Sequence, residues 1–467
     1  MRAAGCAPPE CALAVLIAVY LCDYIDRYLV NLLAEPIRLD LGLTDTATGL
    51  LQTAFFAFHA AFALPIATYV ETVGDRVPVL TCSILLWTLF AAGSGLAPTF
   101  GSLLLCRVMV GVGEAVVTPV AQTMIFDLYP PGERVVPMGV YFAAAYFGHF
   151  AAFLSGGFIT AAFTWRTAFL AMALATGAPV AALTACALRD PRRAACTATS
   201  SVPSMVVGGG RTPPSPGCHH FAHGLGASLR APGYVLLQGG NGLAAGVVTA
   251  AAAWSPSLLA RTHGMSIEEI GVFLALANGL LMGVGAIAWS AVANQLCAAH
   301  GASTLIKVPA TGLLLGGLLL AAATVVESKR ACLALLALGL FALASWVCVI
   351  PCLLALTPPG AKAIAASVSS LTAALAGSIA APAVGALSDA WSDLGAALRV
   401  VMLSFAIPGA LLLATAASRS AHDGTMGAFA LQLGGPPPPR ESCRGASAGT
   451  RSAATAARSR CASATLM

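Results

Sequence analysis

Residues 106–115 read CRVMVGVGEA, and this stretch places an arginine and a glutamate in an otherwise apolar segment. Arg107 and Glu114 are seven residues apart, about two turns of an α-helix, so the spacing predicts that both side chains lie on one helix face. A charged side chain near the centre of a bilayer costs at least about 2.5–3.5 kcal/mol on insertion scales. Charged residues are found at such positions where they form ion pairs or take part in the protein's function. The stretch therefore predicts a charge cluster inside a membrane protein.

The composition of the whole chain indicates a protein that spans a membrane many times. Of its 467 residues 58% are hydrophobic and 9% are charged, and the mean hydropathy is +0.84. A soluble domain carries roughly a quarter charged residues. Only Cys218, His219 and His220 hint at a metal site, which normally needs about four converging ligands. We therefore expect no metal, no other cofactor, no nucleic-acid partner and no catalytic centre.

Apolar windows of about 20 residues, the length that crosses a bilayer as a helix, recur along the chain. The predicted spans are 11–33, 47–70, 78–97, 101–126, 137–160, 165–188, 233–260, 268–292, 303–325, 331–354, 362–387 and 396–417. They form two groups of six, separated by a segment rich in Arg, Gly and Pro. We therefore predict six-helix bundles at 1–188 and 233–417, a flexible cytoplasmic linker at 189–232 and a disordered cytoplasmic tail at 418–467.

The distribution of Lys and Arg predicts how these helices are oriented. With both termini in the cytoplasm, the cytoplasmic segments hold 16 of the 24 basic residues and the opposite segments hold 6. Positive charge accumulates on the cytoplasmic side of membrane proteins. Two bundles of this kind are typical of secondary transporters, which hold their substrate near the bilayer midplane between the halves. The sequence leaves the plasma membrane and the endolysosomal membrane as alternative locations.

A second set of charges lies in the first predicted helix. Asp23, Asp26 and Arg27 share one face because they are three and four residues apart. Together with Arg107 and Glu114 they predict a cluster between the first and fourth helices. A carboxylate held away from water is suited to bind and release a proton. The alternative is a set of structural ion pairs, although desolvation offsets much of the attraction within such pairs.

Several stretches resemble the Spinster branch of the major facilitator superfamily. They are DYIDRY at 23–28, GLLQTAF at 49–55, Trp87, RVMVGVGEA at 107–115, DLYPPGER at 127–134, WRTAF at 165–169, WSPSLLARTHG at 254–264, ASVSSL at 366–371 and GALSD at 385–389. The resemblance covers roughly 12–417 and is stronger in the first half. It implies an all-α membrane fold with twelve transmembrane helices in two six-helix bundles.

The resemblance also implies export of lysophospholipids or sphingolipid-like lipids, coupled to protons in several members. At the matching positions, Asp26 and Glu114 are the expected proton-coupling carboxylates, and Arg107 is the expected counter-charge of Glu114. Asp23 stands where the family usually has asparagine, so this chain carries an additional acid. The expected substrate-binding residues are Arg27, Arg107, Asp23, His59 and His149. For both histidines a hydrogen-bonded core position is the alternative interpretation.

The gating motifs of the superfamily are weakened in this chain. TYVETVGDRVP at 68–78 stands where the family has a G-x-L-A-D-R-x-G-R-R loop, and AVANQL at 291–296 stands where Asp-Arg is usual. The expected gating residues are Glu71, Asp75, Arg76, Asp127, Arg134 and Asn294. Lys362 is the only base before the eleventh predicted helix, where the family normally has an arginine.

The leading hypothesis is a proton-coupled transporter of an amphipathic anionic lipid, a lysophospholipid or a sphingolipid-like molecule, that works by alternating access. The same arginines would also serve a transporter of a small organic anion or a drug-like molecule. The weakened gating motifs leave a third interpretation, a substrate receptor that signals without transport.

Overall fold

The computed structural model describes residues 8–73, 75–130, 133, 135–191, 226, 229–230, 233–301, 303–357 and 362–422. Within these ranges the regular structure is helical, and no residue is in a β-strand. In the same ranges no group of three or more His, Cys, Asp or Glu side chains could hold a metal ion. Outside the described residues lie 192–225 of the predicted linker, with Cys218, His219 and His220, and 423–467 of the predicted tail.

Twelve long helices follow one another along the described residues. They are α1 (Pro9–Leu41), α2 (Asp45–Thr72), α3 (Val77–Leu96), α4 (Phe100–Leu128), α5 (Val135–Ala162), α6 (Trp165–Ala187), α7 (Tyr234–His263), α8 (267–300), α9 (Thr304–Ala323), α10 (329–355), α11 (Lys362–Trp391) and α12 (Leu394–His422). Ten of them, all except α1 and α2, are long and apolar enough by themselves to cross a membrane. The predicted all-helical, multi-span fold is confirmed.

Four of the helices contain a local departure from α-helical geometry. The helix α4 is interrupted by a turn at 115–116, directly after Glu114. The helices α6 and α8 contain π-helical segments at Ala173–Gly177 and Ala275–Leu281, and α10 contains a 3₁₀ segment at Ala344–Cys348. Such departures are common at functional sites and hinges. The interruption of α4 therefore makes Glu114 a candidate functional residue.

The helices pack as two halves, α1–α6 and α7–α12. In the first half α1 runs along α5 and also contacts α4 and α6, and in the second half α7 runs along α11 and α12. Trp87 and Tyr141 belong to the core of the first half, and Trp254 and Leu340 belong to that of the second. The halves meet where α2 packs on α11, α5 on α8, and α1 on α7.

Two glycines allow α2 and α11 to approach closely across the boundary between the halves. A Cβ atom at Gly49 would lie 2.8 Å from both the Ala381 carbonyl oxygen and the Pro382 Cα. A Cβ atom at Gly385 would collide with the backbone of Asp45. Backbone atoms cannot rotate away as the end of a side chain can. The α2–α11 contact therefore depends on glycine at these two positions.

We expect the Gly49→Ala substitution to lower the free energy of unfolding by about 1–3 kcal/mol, because the added methyl group overpacks a backbone contact. The matched control is Gly139→Ala on α5, where a Cβ atom would meet nothing within 4 Å. That change should be neutral or stabilise by up to about 1 kcal/mol, since alanine favours a helix over glycine. The apparent Tm of the purified protein in detergent measures both effects. Equal Tm values for the two variants would contradict the close α2–α11 packing.

Candidate functional site

The charged residues predicted on α1 and α4 come together near the middle of the first half. Arg27 lies 14 residues before the end of α1 at Leu41, and Glu114 lies 14 residues after the start of α4 at Phe100. These two helix ends lie at the same end of the bundle, so the two side chains lie at a similar depth. We call Asp23, Asp26, Arg27, Arg107 and Glu114 the charge cluster.

The Arg27 guanidinium binds two carboxylates of the charge cluster at once. Its Nη2 atom lies 3.1 Å from Asp23 Oδ1, 3.0 Å from Asp23 Oδ2 and 3.0 Å from Glu114 Oε2. Its Nε atom donates to Glu114 Oε2 at 3.2 Å. The guanidinium carbon lies 4.7 Å from the centre of the Tyr24 ring and 5.2 Å from that of the Phe55 ring. Two acids and two aromatic rings therefore fix the orientation of Arg27.

Arg27 is the member of the charge cluster that has access to open space. Its side chain is 13% exposed, whereas the side chains of Asp23 and Glu114 are 1% and 0% exposed. Asp26 and Arg107 are also buried. Among the five charges of the cluster, the side chain of Arg27 is therefore the most exposed.

Arg107 does not pair directly with Glu114. Its Nη2 atom donates to Ser94 Oγ at 3.0 Å, and its guanidinium carbon lies 5.2 Å from the centre of the Phe169 ring. Side chains on a helix lean toward the helix N-terminus, so Arg107 extends away from Glu114, which lies two turns further along. Arg107 acts on Asp26 and Glu114 through longer-range attraction. The direct ion-pair partner of Glu114 is Arg27.

The charge cluster contains more carboxylates than guanidinium groups. When all five groups are ionised, three carboxylates face two guanidinium groups, which leaves one negative charge in excess. Asp26 Oδ2 and Glu114 Oε1 are buried and have no hydrogen-bond partner among the described residues. An uncompensated buried charge is unfavourable. The arrangement can therefore take up a proton or another cation.

The two histidines expected at the site lie beside aromatic rings of the same region. The His149 ring centre is 3.8 Å from that of Tyr28, and the His59 ring stacks on Phe55 with 5.7 Å between centres. Both ring nitrogens of His149 and the Nδ1 atom of His59 are buried without a hydrogen-bond partner in the described part of the chain. The backbone of Gly111 lies close to His59 and that of Asn278 close to His149, so both interpretations of the two histidines stay open.

Three of the expected gating residues lie together within the first half. Arg76 is fully buried, and its Nη2 atom lies 2.6 Å from Asp190 Oδ1 and 2.8 Å from Asp127 Oδ2. Asp75 Oδ1 accepts a hydrogen bond from the Val77 nitrogen at the start of α3. Burial lowers the pKa of the Arg76 guanidinium, but the hydrogen bonds and charges of Asp190 and Asp127 outweigh it and raise that pKa above its ordinary value.

These contacts join the start of α3, the end of α4 and the segment after α6. They do not bridge the two halves, and Asp190 was not among the residues expected from the sequence. Asn294 is exposed on α8. The side chains of Glu71, Arg134 and Lys362 lie outside the described part of the structure, so the gating predictions for them stay predictions.

At the opposite end, a set of ion pairs joins the two halves. We call Glu35, Asp45, Arg261, Ser388 and Asp389 the latch. Arg261 on α7 binds Asp45 on α2 through two parallel contacts of 2.8 and 2.7 Å, and its Nε atom donates to Glu35 Oε2 at 2.8 Å. Two-point pairing of this kind is stronger and more directional than a single contact.

Asp389 extends the latch from α11 to the start of α2. Its Oδ1 and Oδ2 atoms accept hydrogen bonds from the backbone nitrogens of Asp45 and Thr46 at 2.9 and 2.8 Å. A carboxylate at this position caps the helix and interacts favourably with the positive end of its dipole. Ser388 Oγ donates to Asp45 Oδ2 at 2.6 Å. Asp389 of one half therefore satisfies two backbone N–H groups at the start of α2 of the other half, in addition to the N-cap that Thr44 provides.

Sequence reasoning did not assign the latch, although two of the family-like stretches, WSPSLLARTHG and GALSD, contain Arg261 and Asp389. Glu35 is eight residues beyond Arg27 on α1, which places the latch about 12 Å along the helix from the charge cluster. A cleft of about 410 Å³ borders Arg261 and Asp389. In the described residues, ion pairs thus join the two halves on that side of the charge cluster.

Comparison with known proteins gives the family of this chain. The chain matches the family model described as Major Facilitator Superfamily over residues 16–381. It is 30% identical, over 88% of its length, to an MFS-type efflux pump of Mycolicibacterium smegmatis, of which it covers 93%. It is 29% identical, over 56% of its length, to human protein spinster homolog 1, of which it covers 48%.

Two further comparisons concern the Spinster resemblance. The chain is 32% identical, over 31% of its length, to the mouse sphingosine-1-phosphate transporter SPNS2, of which it covers 27%. It thus matches about half or less of the two named spinster-type relatives. Among solved structures it resembles a bacterial homolog of the human lysosomal transporter Spinster in an inward-facing, unoccupied conformation, with a TM-score of 0.75 and 23% identity. That match covers 92% of this chain and 99% of the other.

We expect Arg261→Gln to weaken closure at the latch. Loss of a hydrogen-bonded charge pair costs about 1.5–3 kcal/mol, so the ratio of closed to open latch should fall on the order of 10–150-fold. Spin labels attached to unnatural amino acids that replace Leu39 and Val325 would report the distance between the halves by double electron–electron resonance spectroscopy. The matched control is Lys329→Gln, which removes an exposed ion pair with Glu269 inside the second half. A distance distribution in the Arg261→Gln protein that equals that of the control would show that the latch does not hold this conformation.

Proposed function

Because the chain belongs to the major facilitator superfamily, as a Spinster-like member, we propose that it is a proton-coupled transporter of an amphipathic anionic lipid of the lysophospholipid or sphingolipid type. The chain is an integral, multi-pass membrane protein of a transporter family. The proposal adds the substrate class, the coupling ion and the residues that act in transport. Its orientation would place both termini and the 189–232 linker in the cytoplasm.

The observation that carries the proposal is the position of Arg27. A partly exposed guanidinium lies at mid-depth between two carboxylates and beside the rings of Tyr24 and Phe55. A guanidinium matches the geometry of a phosphate group and binds it through two parallel hydrogen bonds. Arg27 is therefore the group that we expect to bind an anionic headgroup. In this conformation Arg107 is buried and bound to Ser94, so we assign it to the electrostatic balance of the cluster.

The distribution of charge between the halves supports an amphipathic substrate. In the helices of the second half, every Asp, Glu, Lys and Arg lies within a few residues of a helix end. The stretches without such residues are 234–260, 270–306, 308–326, 331–361, 363–388 and 400–418. An apolar wall of this kind can bind an acyl chain while the first half binds the headgroup. The mouse relative named as a sphingosine-1-phosphate transporter supports the same substrate class.

The charge cluster supports proton coupling. The excess carboxylate and the unpartnered oxygens of Asp26 and Glu114 give a proton two places to bind. In the proposed cycle, protonation of Asp26 or Glu114 weakens the contacts of α4 with α1. The halves then rock about their interface, the latch opens, and the lipid is released on the other side. Asp127 and Arg76 would hold the opposite end of the first half rigid during this movement.

A second substrate class also has an observation in its favour. The relative that is similar along most of this chain is named an MFS-type efflux pump, and that name does not specify a lipid substrate. Arg27 would bind the carboxylate or phosphate of a small organic anion or drug-like molecule equally well. The two substrate classes differ in whether the apolar wall of the second half contributes to the affinity for the substrate.

We expect purified protein in proteoliposomes to take up radiolabelled lysophosphatidylglycerol, and uptake should increase when a pH gradient is imposed. The physical reason is that the guanidinium of Arg27 and the apolar second half bind the two ends of that lipid. Initial rates with and without the gradient, compared with protein-free liposomes, measure the effect. Uptake of a soluble organic anion that lipid does not inhibit would favour the second class. Correctly folded protein that moves no lipid would contradict the lipid assignment.

We expect Glu114→Gln to abolish pH-driven transport and to leave the protein folded and inserted. The amide keeps the shape of the side chain but cannot take up the proton. The matched control is Glu133→Gln, which changes an exposed glutamate between α4 and α5. Initial transport rates across a series of imposed pH gradients measure the loss. If pH dependence survives in the Glu114→Gln protein, the cluster is a structural ion-pair network.

A further inference from the structure

The binding mode of Arg27 limits how an anion can reach it. A guanidinium offers two edges for two-point binding, one formed by Nε and Nη2 and the other by Nη1 and Nη2. Both edges include Nη2. Asp23 and Glu114 both occupy Arg27 Nη2, at 3.0 Å each. An anionic headgroup that binds Arg27 along either of these two edges must therefore displace one of the two carboxylates.

The contacts indicate which carboxylate is displaced. Glu114 binds along the edge formed by Nε and Nη2, with contacts of 3.2 and 3.0 Å. Asp23 contacts Nη2 alone, with both of its oxygens. The remaining edge, formed by Nη1 and Nη2, is contacted by Asp23, whose carboxyl group also interacts with that of Glu114. A headgroup on this edge takes the place of Asp23 and leaves Glu114 bound.

The displaced Asp23 carboxylate cannot remain charged without a partner. Its side chain is 1% exposed, so water does not compensate its charge after it leaves Arg27. A buried carboxylate that loses its cation is strongly unfavourable. A singly charged headgroup replaces the carboxylate charge for charge, so the net charge of the cluster is unchanged only when the displaced carboxyl group gains a proton.

We propose that Asp23 competes with the anionic headgroup for Arg27, and that each headgroup bound there displaces the Asp23 carboxylate, which takes up one proton from solution. No covalent bond forms or breaks except the O–H bond of the carboxyl group. The inference rests on the proposed lipid transport function and deepens it, because it adds Asp23 to the proposed protonation sites Asp26 and Glu114, as the site that takes up its proton when the headgroup binds.

The surroundings of Asp23 offer a place for the protonated carboxyl group. Tyr141 on α5 interacts electrostatically with Asp23, and its buried hydroxyl, which lies close to Thr118 of α4, makes no hydrogen bond of normal geometry within the described residues. A neutral carboxyl group can both donate to and accept from that hydroxyl. The other titratable or charged groups around Asp23 and Arg27 are Tyr20, Cys22, Tyr24, Asp26 and Tyr28 on α1, His59 on α2, Arg107 and Glu114 on α4, and His149 on α5.

The test measures protons bound per lipid. Lysophosphatidylglycerol carries one negative phosphodiester and is titrated into the full-length protein by calorimetry, in buffers that differ in ionisation enthalpy. We expect wild-type protein to take up about one proton per lipid, so that affinity falls about tenfold per pH unit as pH rises. The Asp23→Asn protein should take up almost no protons per bound lipid, and its affinity for the lipid should change by less than about threefold per pH unit. Asp23→Glu should restore the wild-type proton uptake.

The matched control is Asp40→Asn, which removes another acid of α1, paired with Arg166 outside the charge cluster. It should take up the same number of protons as wild type. A second measurement does not depend on a variant. The infrared difference spectrum of wild-type protein with and without lipid should gain a carboxylic-acid band.

The outcomes separate the inference from the proposed function. Wild-type protein that binds lipid without proton uptake, or without the infrared band, overturns the inference and leaves lipid transport in place. Proton uptake by Asp23→Asn equal to that of wild type and of Asp40→Asn also overturns it, because another group then accepts the proton. Wild-type protein that binds no lipid contradicts the proposed function, and the inference with it.

Discussion

The arrangement of the site depends on a single guanidinium that two buried carboxylates share. Arg27 brings Asp23 of its own helix and Glu114 of α4 to one nitrogen atom, and it is the charge of the cluster with access to open space. A buried ion pair contributes little net stability once desolvation is counted. Its value to this protein is that small changes in charge, from a proton or an anion, change which groups are bound to each other. The interaction thus connects the sequence pattern of α1 and α4 to a transport mechanism.

The same helix connects the charge cluster with the latch. The carboxylate of Glu35 on α1 binds Arg261 of the other half, while Asp23 and Arg27 lie two to three turns away. Because Arg27 and Glu35 lie on the same helix, a movement of α1 that follows a change at Arg27 would also shift Glu35, although Pro36 interrupts the backbone hydrogen bonds of α1 beside it. Gly49 and Gly385 bring the backbones of α2 and α11 close enough for Asp389 to cap α2. The latch therefore combines close backbone packing with ion pairs, and only the ion pairs respond to charge.

Hydropathy predicted the helices well, because a span needs about 20 apolar residues wherever it lies. It ended the first helix at residue 33, whereas α1 continues to Leu41. With the first helix ending at residue 33, the sequence does not show that Arg27 and Glu114 lie at equal depth. It therefore does not identify Arg27 as the direct ion-pair partner of Glu114. The sequence also did not predict the latch. Arg261 and Asp389 each resemble an ordinary charge at a helix end, and their partners at Glu35 and Asp45 lie more than 200 residues away in the chain.

We propose that an anionic headgroup binds at Arg27 while its apolar chain lies against the second half. A structure of the protein with bound lysophosphatidylglycerol tests it most directly. We expect the phosphate within hydrogen-bond distance of Arg27 Nη1 and Nη2, with Glu114 still bound at Nε and the acyl chain along α7–α12. A phosphate bound elsewhere, with Asp23 and Glu114 both unchanged on Arg27, would contradict the account.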